Sequence, residues 1–243
     1  MREGSRGVSL ARALSKFGIA SRAQSADLIR DGLVKVNGRS VRNPAVWVNP
    51  NTDSISLDGK TIHAVPRVYI LLHKPVGVVT TRSDELARRT VYDLLPEGTP
   101  WVFPAGRLDR ETSGLLLLTN DTRLANLLTS PIEHCVKRYR VALDHPLTAQ
   151  DQAAISAGMI LSDGTSLKPV TVEPDGEKAY TFSLREGKNR QIRRMCKALG
   201  YEVLALHRTS IGSLTIGALS AGKTRALSRR EIIHILSGGE REE

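Results

Sequence analysis

The chain has 243 residues, 40% of them apolar and 25% charged, with a formal net charge of +10 from 35 Lys and Arg against 25 Asp and Glu. These proportions exclude wholesale disorder and a fibrous architecture, and the length allows one large domain, or a small domain joined to a larger one, with a real core. No run approaches the roughly 18 apolar residues of a membrane span, the opening MREGSRG lacks a signal peptide's apolar stretch, and Cys135 and Cys196 have neither zinc nor redox spacing, so reduced thiols, no metal, no membrane and the cytoplasm are expected.

The charge is uneven. Residues 1–65 hold ten Lys and Arg against five Asp and Glu, a net of +5, so half the surplus sits in about a quarter of the chain. That asymmetry favours a dedicated module for a polyanion. Within it, Leu10, Leu14 and Phe17 recur at helical spacing and Gly18 closes the segment, which predicts one short helix. Ser21 is placed to cap a second helix that buries Ala26 and Ile29, with Gly32 just past its end. Leu33, Val34 and Val36 predict a strand that Asn37-Gly38 turns back through Val41, and Ile55, Leu57 and Asp58-Gly59 predict one more hairpin. On this frame Arg12, Lys16, Arg22 and Arg30 offer a cationic helical surface, and Lys35 and Arg39 flank the hairpin turn. A phosphate backbone fits across it, the bland alternative being a solvated helix face. The stretch from Val8 to about Val65, above all LARALSKFGIASRAQSADLIRDGLVKVNGRSV, resembles the alpha-L RNA-binding motif first described in ribosomal protein S-four. That resemblance makes these six cations, with Ser21, the candidate RNA-binding residues.

Around Pro66 the texture changes, and VYILLHKPVGVVTT opens a region of short apolar runs separated by Gly and Pro. Two domains are expected, 8–65 and 66–236. Strand-like segments fall at Val68 to Leu72, Leu115 to Thr119, Tyr139 to Leu143, Val170 to Val172 and Tyr180 to Leu184, with helical patterns between some of them. The order is no regular strand–helix alternation, which predicts an α+β fold with a large, mixed, mostly antiparallel sheet in place of a doubly wound one. The ends, MREGSRG and SGGEREE, are expected to be mobile.

Three stretches could carry chemistry. In AGRLDRETSGLLLLTND a polar loop runs into a four-leucine strand, and Asp109 stands between Arg107 and Arg110. Neighbouring cations favour an ionised carboxylate, suited to act as nucleophile or base; the structural alternative is an ion pair that merely holds the loop. Glu111 lies close enough in sequence to suggest a retaining-glycosidase pair, whose carboxyls stand about 5 Å apart, but a basic chain with three Phe and two Trp lacks the composition of a carbohydrate cleft. Asp121 is placed to cap a helix beginning near Arg123 that turns Leu124, Leu127 and Leu128 inward. In VKRYRVAL, Tyr139, Val141 and Leu143 share one strand face and Arg138 and Arg140 the other. Tyr139 therefore packs in a core or stacks on an extruded nucleobase. In REGKNRQIRRMCKALGYEV a helix is expected behind an Asn189 cap, with Gly200 past its end. Arg190, Arg193, Arg194 and Lys197 gather on one side, and Ile192, Met195, Cys196 and Leu199 on the other. The face is either solvated or brings Arg193 to pair with Asp109.

GRLDRETSGLLLLTND, KRYRV and EGKNRQIRRM, in that order behind an alpha-L motif and LLHKPVGVVTT, resemble the RsuA/RluB family of ribosomal RNA pseudouridine synthases across nearly the whole chain. The resemblance implies a cofactor-free isomerase acting on ribosomal RNA or a ribosomal subunit precursor. It makes Asp109 the catalytic aspartate, Tyr139 the aromatic against the target base and Arg193 the cation paired with the carboxylate. Ile192 then belongs to the apolar wall, Arg107 fills the space the flipped nucleotide vacates, and Arg190 and Arg194 join the RNA-binding set. Departures occur at His73, where the family usually has Asn, and at Thr122, where Gly is common. LDHPLTAQDQAAISAGMILSDGTSLKPV is similar to the branch acting on small-subunit rRNA. A non-catalytic rRNA-binding assembly factor that retains the fold is the alternative, and a monomer is the default expectation.

Overall fold

The computed structural model describes residues 7–63, 66–129 and 135–237. The termini expected to be mobile lie outside the described residues, apart from Gly7 and Ser237. The chain divides into two compact units: Met1–Val68 with Glu97–Phe103 and Thr119–Thr122, and Tyr69–Pro96 with Pro104–Leu118 and Arg123–Glu243.

In the first unit, helix Leu10–Lys16 buries Leu10, Ala13 and Leu14. Gly18 follows it at φ 73°, a left-handed conformation that costs glycine little. Helix Arg22–Arg30 starts on a capping box, in which the Gln24 N–H donates to Ser21 Oγ at 3.2 Å and the Ser21 N–H donates to Gln24 Oε1 at 3.1 Å. Its buried face carries Ser25 and Ile29; Ala26, expected inside, is half-buried. Strand Val34–Val36 pairs antiparallel with Arg39–Ser40 and with Ile55–Leu57, which in turn pairs with Lys60–Thr61. Both turns have the successive positive φ angles of a tight hairpin, 50° and 80° at Asn37-Gly38 and 48° and 77° at Asp58-Gly59. Leu10, Leu14, Phe17, Ile29, Val34 and Ile55 share one core. Arg12, Lys16, Arg22, Arg30, Lys35 and Arg39 are all exposed. Arg30 is paired with Asp27 at 2.7 Å.

The large sheet runs in the order Thr171–Pro174, Ala179–Leu184, Lys137–Leu143, Val203–Ile211, Ser113–Thr119, Tyr69–Lys74, Thr224–Ala226. Lys137–Leu143 pairs antiparallel with both its neighbours, whereas Val203–Ile211 runs parallel to Ser113–Thr119. This is the mixed, mostly antiparallel sheet of an α+β fold. The four leucines of Ser113–Thr119 are each 0% exposed, because a strand in the middle of the sheet is covered on both faces. Tyr139, Val141 and Leu143 turn to one core together with Ile192, Met195 and Cys196 from helix Gln191–Ala198. Leu124 and Leu128 of helix Thr122–Thr129 are buried and Leu127 is half-buried. Among the described residues no helix is long and apolar enough to cross a membrane.

The parallel pair meets where Gly114 stands opposite Arg208 and Ser113 opposite His207. Gly114 has φ 112°, and a Cβ there would lie 2.5 Å from the Arg208 backbone nitrogen. Only a residue without a side chain lets the two strands approach so closely.

Candidate active site

Asp109 sits in the loop that feeds the leucine strand, and the segment Lys74–Thr80 fixes that loop through its backbone. Thr80 Oγ1 donates to the Leu108 carbonyl at 2.8 Å and accepts from the Leu108 N–H at 3.4 Å. The Gly77 N–H donates to the Arg110 carbonyl at 2.8 Å, and the Thr112 N–H to the Asp109 carbonyl at 3.1 Å. Lys74 is 0% exposed, and its ammonium donates to the carbonyls of Thr112 at 2.8 Å, Pro75 at 2.9 Å and Arg110 at 3.5 Å. Burial pushes Lys74 from its ordinary 10.5 down to about 8, with the negative charges of Asp109 and Glu111 working against the shift and Arg208 adding to it. In sequence this stretch reads as a strand, and nothing in it announces the role of holding the loop.

A cavity of about 550 Å³ opens beside the loop, and Asp109, Arg107, Tyr139, Arg190 and Ile192 all line it. Leu184 and Leu206 extend the apolar wall begun by Tyr139 and Ile192, while Arg107, Arg185, Lys188 and Arg190 are exposed and cationic. An apolar slot with a positive rim suits a planar base whose phosphates remain outside. The Asp109 side chain is 34% exposed, and Arg190 Nη1 stands 3.9 Å from its Oδ2. The same Arg190 nitrogen bonds Glu111 Oε2 at 2.9 Å, and this contact holds the Glu111 carboxyl below its usual range. A lowered carboxyl gives no support to the glycosidase pair, in which one carboxyl must donate a proton.

The expected pairing of Arg193 with Asp109 is not formed. Arg193 donates to the Val203 carbonyl at 2.9 Å and the Glu111 carbonyl at 3.0 Å, so it ties helix Gln191–Ala198 to the loop backbone, and it does not line the cavity. Burial and Arg190 depress its pKa, and Glu111 and Asp109 act in the opposite sense. Arg194 pairs with Asp163 and also lies outside the cavity wall. Asn189 is not the helix cap. Arg190 takes that place in a left-handed conformation, φ 48° and ψ 34°, with no side-chain cap bond. The turn is secured by buried Gln191, whose Oε1 accepts from the Lys188 N–H at 3.1 Å and whose Nε2 donates to Glu186 at 2.8 Å. This conformation is what brings Arg190, rather than Arg193, to the two acidic groups.

The sequence profile of the RNA pseudouridylate synthases matches residues 68–198, and that of the S4 domain matches 9–53. The chain belongs to the RNA pseudouridylate synthase family. An uncharacterized RNA pseudouridine synthase of Bacillus subtilis, YtzG, is 34% identical, over 94% of this chain and 98% of its own length. The ribosomal large subunit pseudouridine synthase B of the same organism is 34% identical over 92% and 93%. The ribosomal small subunit pseudouridine synthase A of Pasteurella multocida is 36% identical over 87% and 92%. A crystal structure of a pseudouridylate synthase superimposes with a TM-score of 0.70 at 31% identity, covering 94% of this chain and 99% of the other. These relatives place the pseudouridylate synthase in the RsuA/RluB group and make it an isomerase. Neither of its departures from the group is a lining residue of the cavity: His73 Nδ1 is bonded to the Leu219 carbonyl at 2.6 Å, and Thr122 is the first residue of a helix. Among the described residues no group of three or more His, Cys, Asp or Glu is disposed to hold a metal ion.

Proposed function

We propose that this protein isomerises one specific uridine of ribosomal RNA to pseudouridine, with Asp109 as the catalytic carboxylate. The observation that carries the reading is the placement of Asp109 in one cavity with Tyr139 and Ile192, on a loop held from behind by Lys74, Gly77 and Thr80. The reaction breaks the bond from ribose C1′ to uracil N1, turns the ring and joins C1′ to C5; C5 gives up a proton and N1 gains one. No electron is transferred. Asp109 attacks the ribose or the ring, or serves as the base. Tyr139, Ile192 and Leu206 flank the extruded ring, Arg107 enters the duplex space that the nucleotide leaves, and Arg193 positions the loop through the Glu111 carbonyl.

For the substrate class we draw on the named relatives, which act on large- and small-subunit ribosomal RNA. The segment from Leu143 to Val170 leans toward the small subunit. The S4 match and the exposed cations Arg12, Lys16, Arg22, Arg30, Lys35 and Arg39 support an RNA-binding domain at 8–65, ahead of a catalytic domain at 66–236. Ser21 is occupied as a helix cap and would act on RNA only by holding Arg22 in place. Arg190 and Arg194 extend the RNA path near the site. A cytoplasmic monomer completes the proposal.

Mass spectrometry of chemically labelled rRNA, incubated with and without the protein, identifies the modified nucleotide. Asp109→Asn is expected to abolish the modification and keep rRNA affinity within a few fold. Turnover at the wild-type rate in that variant refutes the assignment, and binding by the wild type without any modification returns the chain to the assembly-factor reading.

A further inference from the structure

Arg208, on strand Val203–Ile211, is 3% exposed and lines the same cavity as Asp109 and Tyr139. Its Nε donates to the Leu115 carbonyl at 2.8 Å and its Nη1 reaches the Tyr139 hydroxyl at 3.5 Å. Its Nη2 is buried and has no hydrogen-bonding partner among the described residues. A buried guanidinium is normally matched by a carboxylate or by a full set of acceptors; Arg208 has two acceptors, and no ion pair within 4.0 Å joins it to an acidic side chain of the described residues. Its charge is felt nearby, where it adds to the depression of Lys74 and of Lys137, a second cavity-lining lysine. This part of the wall is a fixed positive field with one donor unspent.

We infer that Arg208 is a further catalytic residue, whose Nη2 donates to O4 of the extruded uracil and stabilises the negative charge that the ring acquires during isomerisation. The inference rests on the pseudouridine synthase reading and deepens it. Breaking C1′–N1 with the bonding pair left on the base yields a uracil anion, its charge shared among N1, O2 and O4. Attack of the Asp109 carboxylate on C6 instead pushes the pair of the C5–C6 double bond toward C4, forming an enolate on O4. O4 gains charge on either path. With Nε fixed by the Leu115 carbonyl and Nη1 by the Tyr139 hydroxyl, Nη2 is the donor left over, and a charged acceptor binds it more strongly than the neutral ring does. Because Nη2 is donor only, the same contact disfavours a cytosine, whose 4-amino group also donates.

The test uses the full-length protein and an rRNA fragment carrying the mapped target, either as uridine or as 4-thiouridine, whose sulfur is a weaker acceptor. Single-turnover release of the C5 hydrogen is followed by tritium, and RNA affinity is measured separately. Arg208→Met is expected to slow release on uridine by about 10²-fold, with RNA affinity within a few fold. The wild type should be slower on 4-thiouridine than on uridine, and the variant should treat the two alike. Arg208→Lys, which keeps the charge and loses the fork, serves if the Met variant does not fold, and it too should lose the distinction. A wild type indifferent to the sulfur, or variants that keep the wild-type rate or slow equally with both RNAs without losing the preference, overturns the inference alone. A wild type that releases no tritium overturns the parent reading as well.

Discussion

Lys74 shows how one side chain can hold the loop that carries Asp109. Its ammonium satisfies carbonyls of Pro75, Arg110 and Thr112, groups the loop's irregular path leaves outside any strand ladder. Burying that charge opposes folding, and the depressed pKa gives the pH window. Below about 8 the lysine is charged in both states and the full penalty stands; between about 8 and 10.5 the folded protein releases a proton that the unfolded chain keeps, so stability rises with pH. At ~1.4 kcal/mol per unit, the gain is on the order of 3 kcal/mol. Urea unfolding at pH 8 and pH 10 should show this rise in the wild type, measured against Lys74→Met, in which it is absent. Parallel profiles for the two proteins would sink the assignment. The sequence displays Lys74 plainly, but its neighbours Pro75 and Val76 give no hint that a cation there is fully enclosed. The basic run Arg190 to Lys197 is similarly half legible. Its helical spacing marks a cationic face, whereas the left-handed Arg190 that decides which guanidinium meets Glu111 and Asp109 has no sequence signal, being neither Gly nor Asn.

At the scale of elements, the site exists because two strands run parallel at close range. Gly114 permits it, and Gly114→Ala should force Ser113–Thr119 away from Val203–Ile211, since the added carbon meets Arg208 backbone and the φ of 112° disfavours any side chain. The destabilisation expected is at least about 2 kcal/mol. It would be read as a lowered thermal midpoint, and activity should fall further than stability, because both the Asp109 loop and Arg208 hang from these strands. A variant melting with the wild type would refute the close approach of the strands. The elements of the first unit are readable because each carries local chemistry: a Ser–Gln capping box, Asn37-Gly38, Asp58-Gly59. Strand Val203–Ile211 gives no such signal, because His207, Arg208 and Thr209 interrupt its apolar run and a buried arginine looks, in sequence, like a surface one. The α+β class does not depend on that strand, resting as it does on the irregular order of strands and helices rather than on any one of them.

For the molecule as a whole, charge distribution governs how RNA is held. The exposed cations of residues 8–65 should contribute through counterion release, so Arg12→Ala or Arg22→Ala is expected to weaken rRNA binding and flatten the plot of log affinity against log salt by about 0.7 to 0.9 for each phosphate no longer neutralised. Titrations by filter binding across a salt series provide the slope, and an unchanged slope argues against RNA lying on these residues. Turnover at saturating RNA should survive both substitutions, unlike Asp109→Asn. The pairing of Ser113 with His207 spans 94 residues of chain. At roughly 5–20 residues per second of translation, the carboxylate loop leaves the ribosome roughly 5–20 s before the strand it must lie beside has been made. A nascent chain therefore carries the Asp109 loop for that interval beside an incomplete wall, and the cavity is complete only once strand Val203–Ile211 has been made.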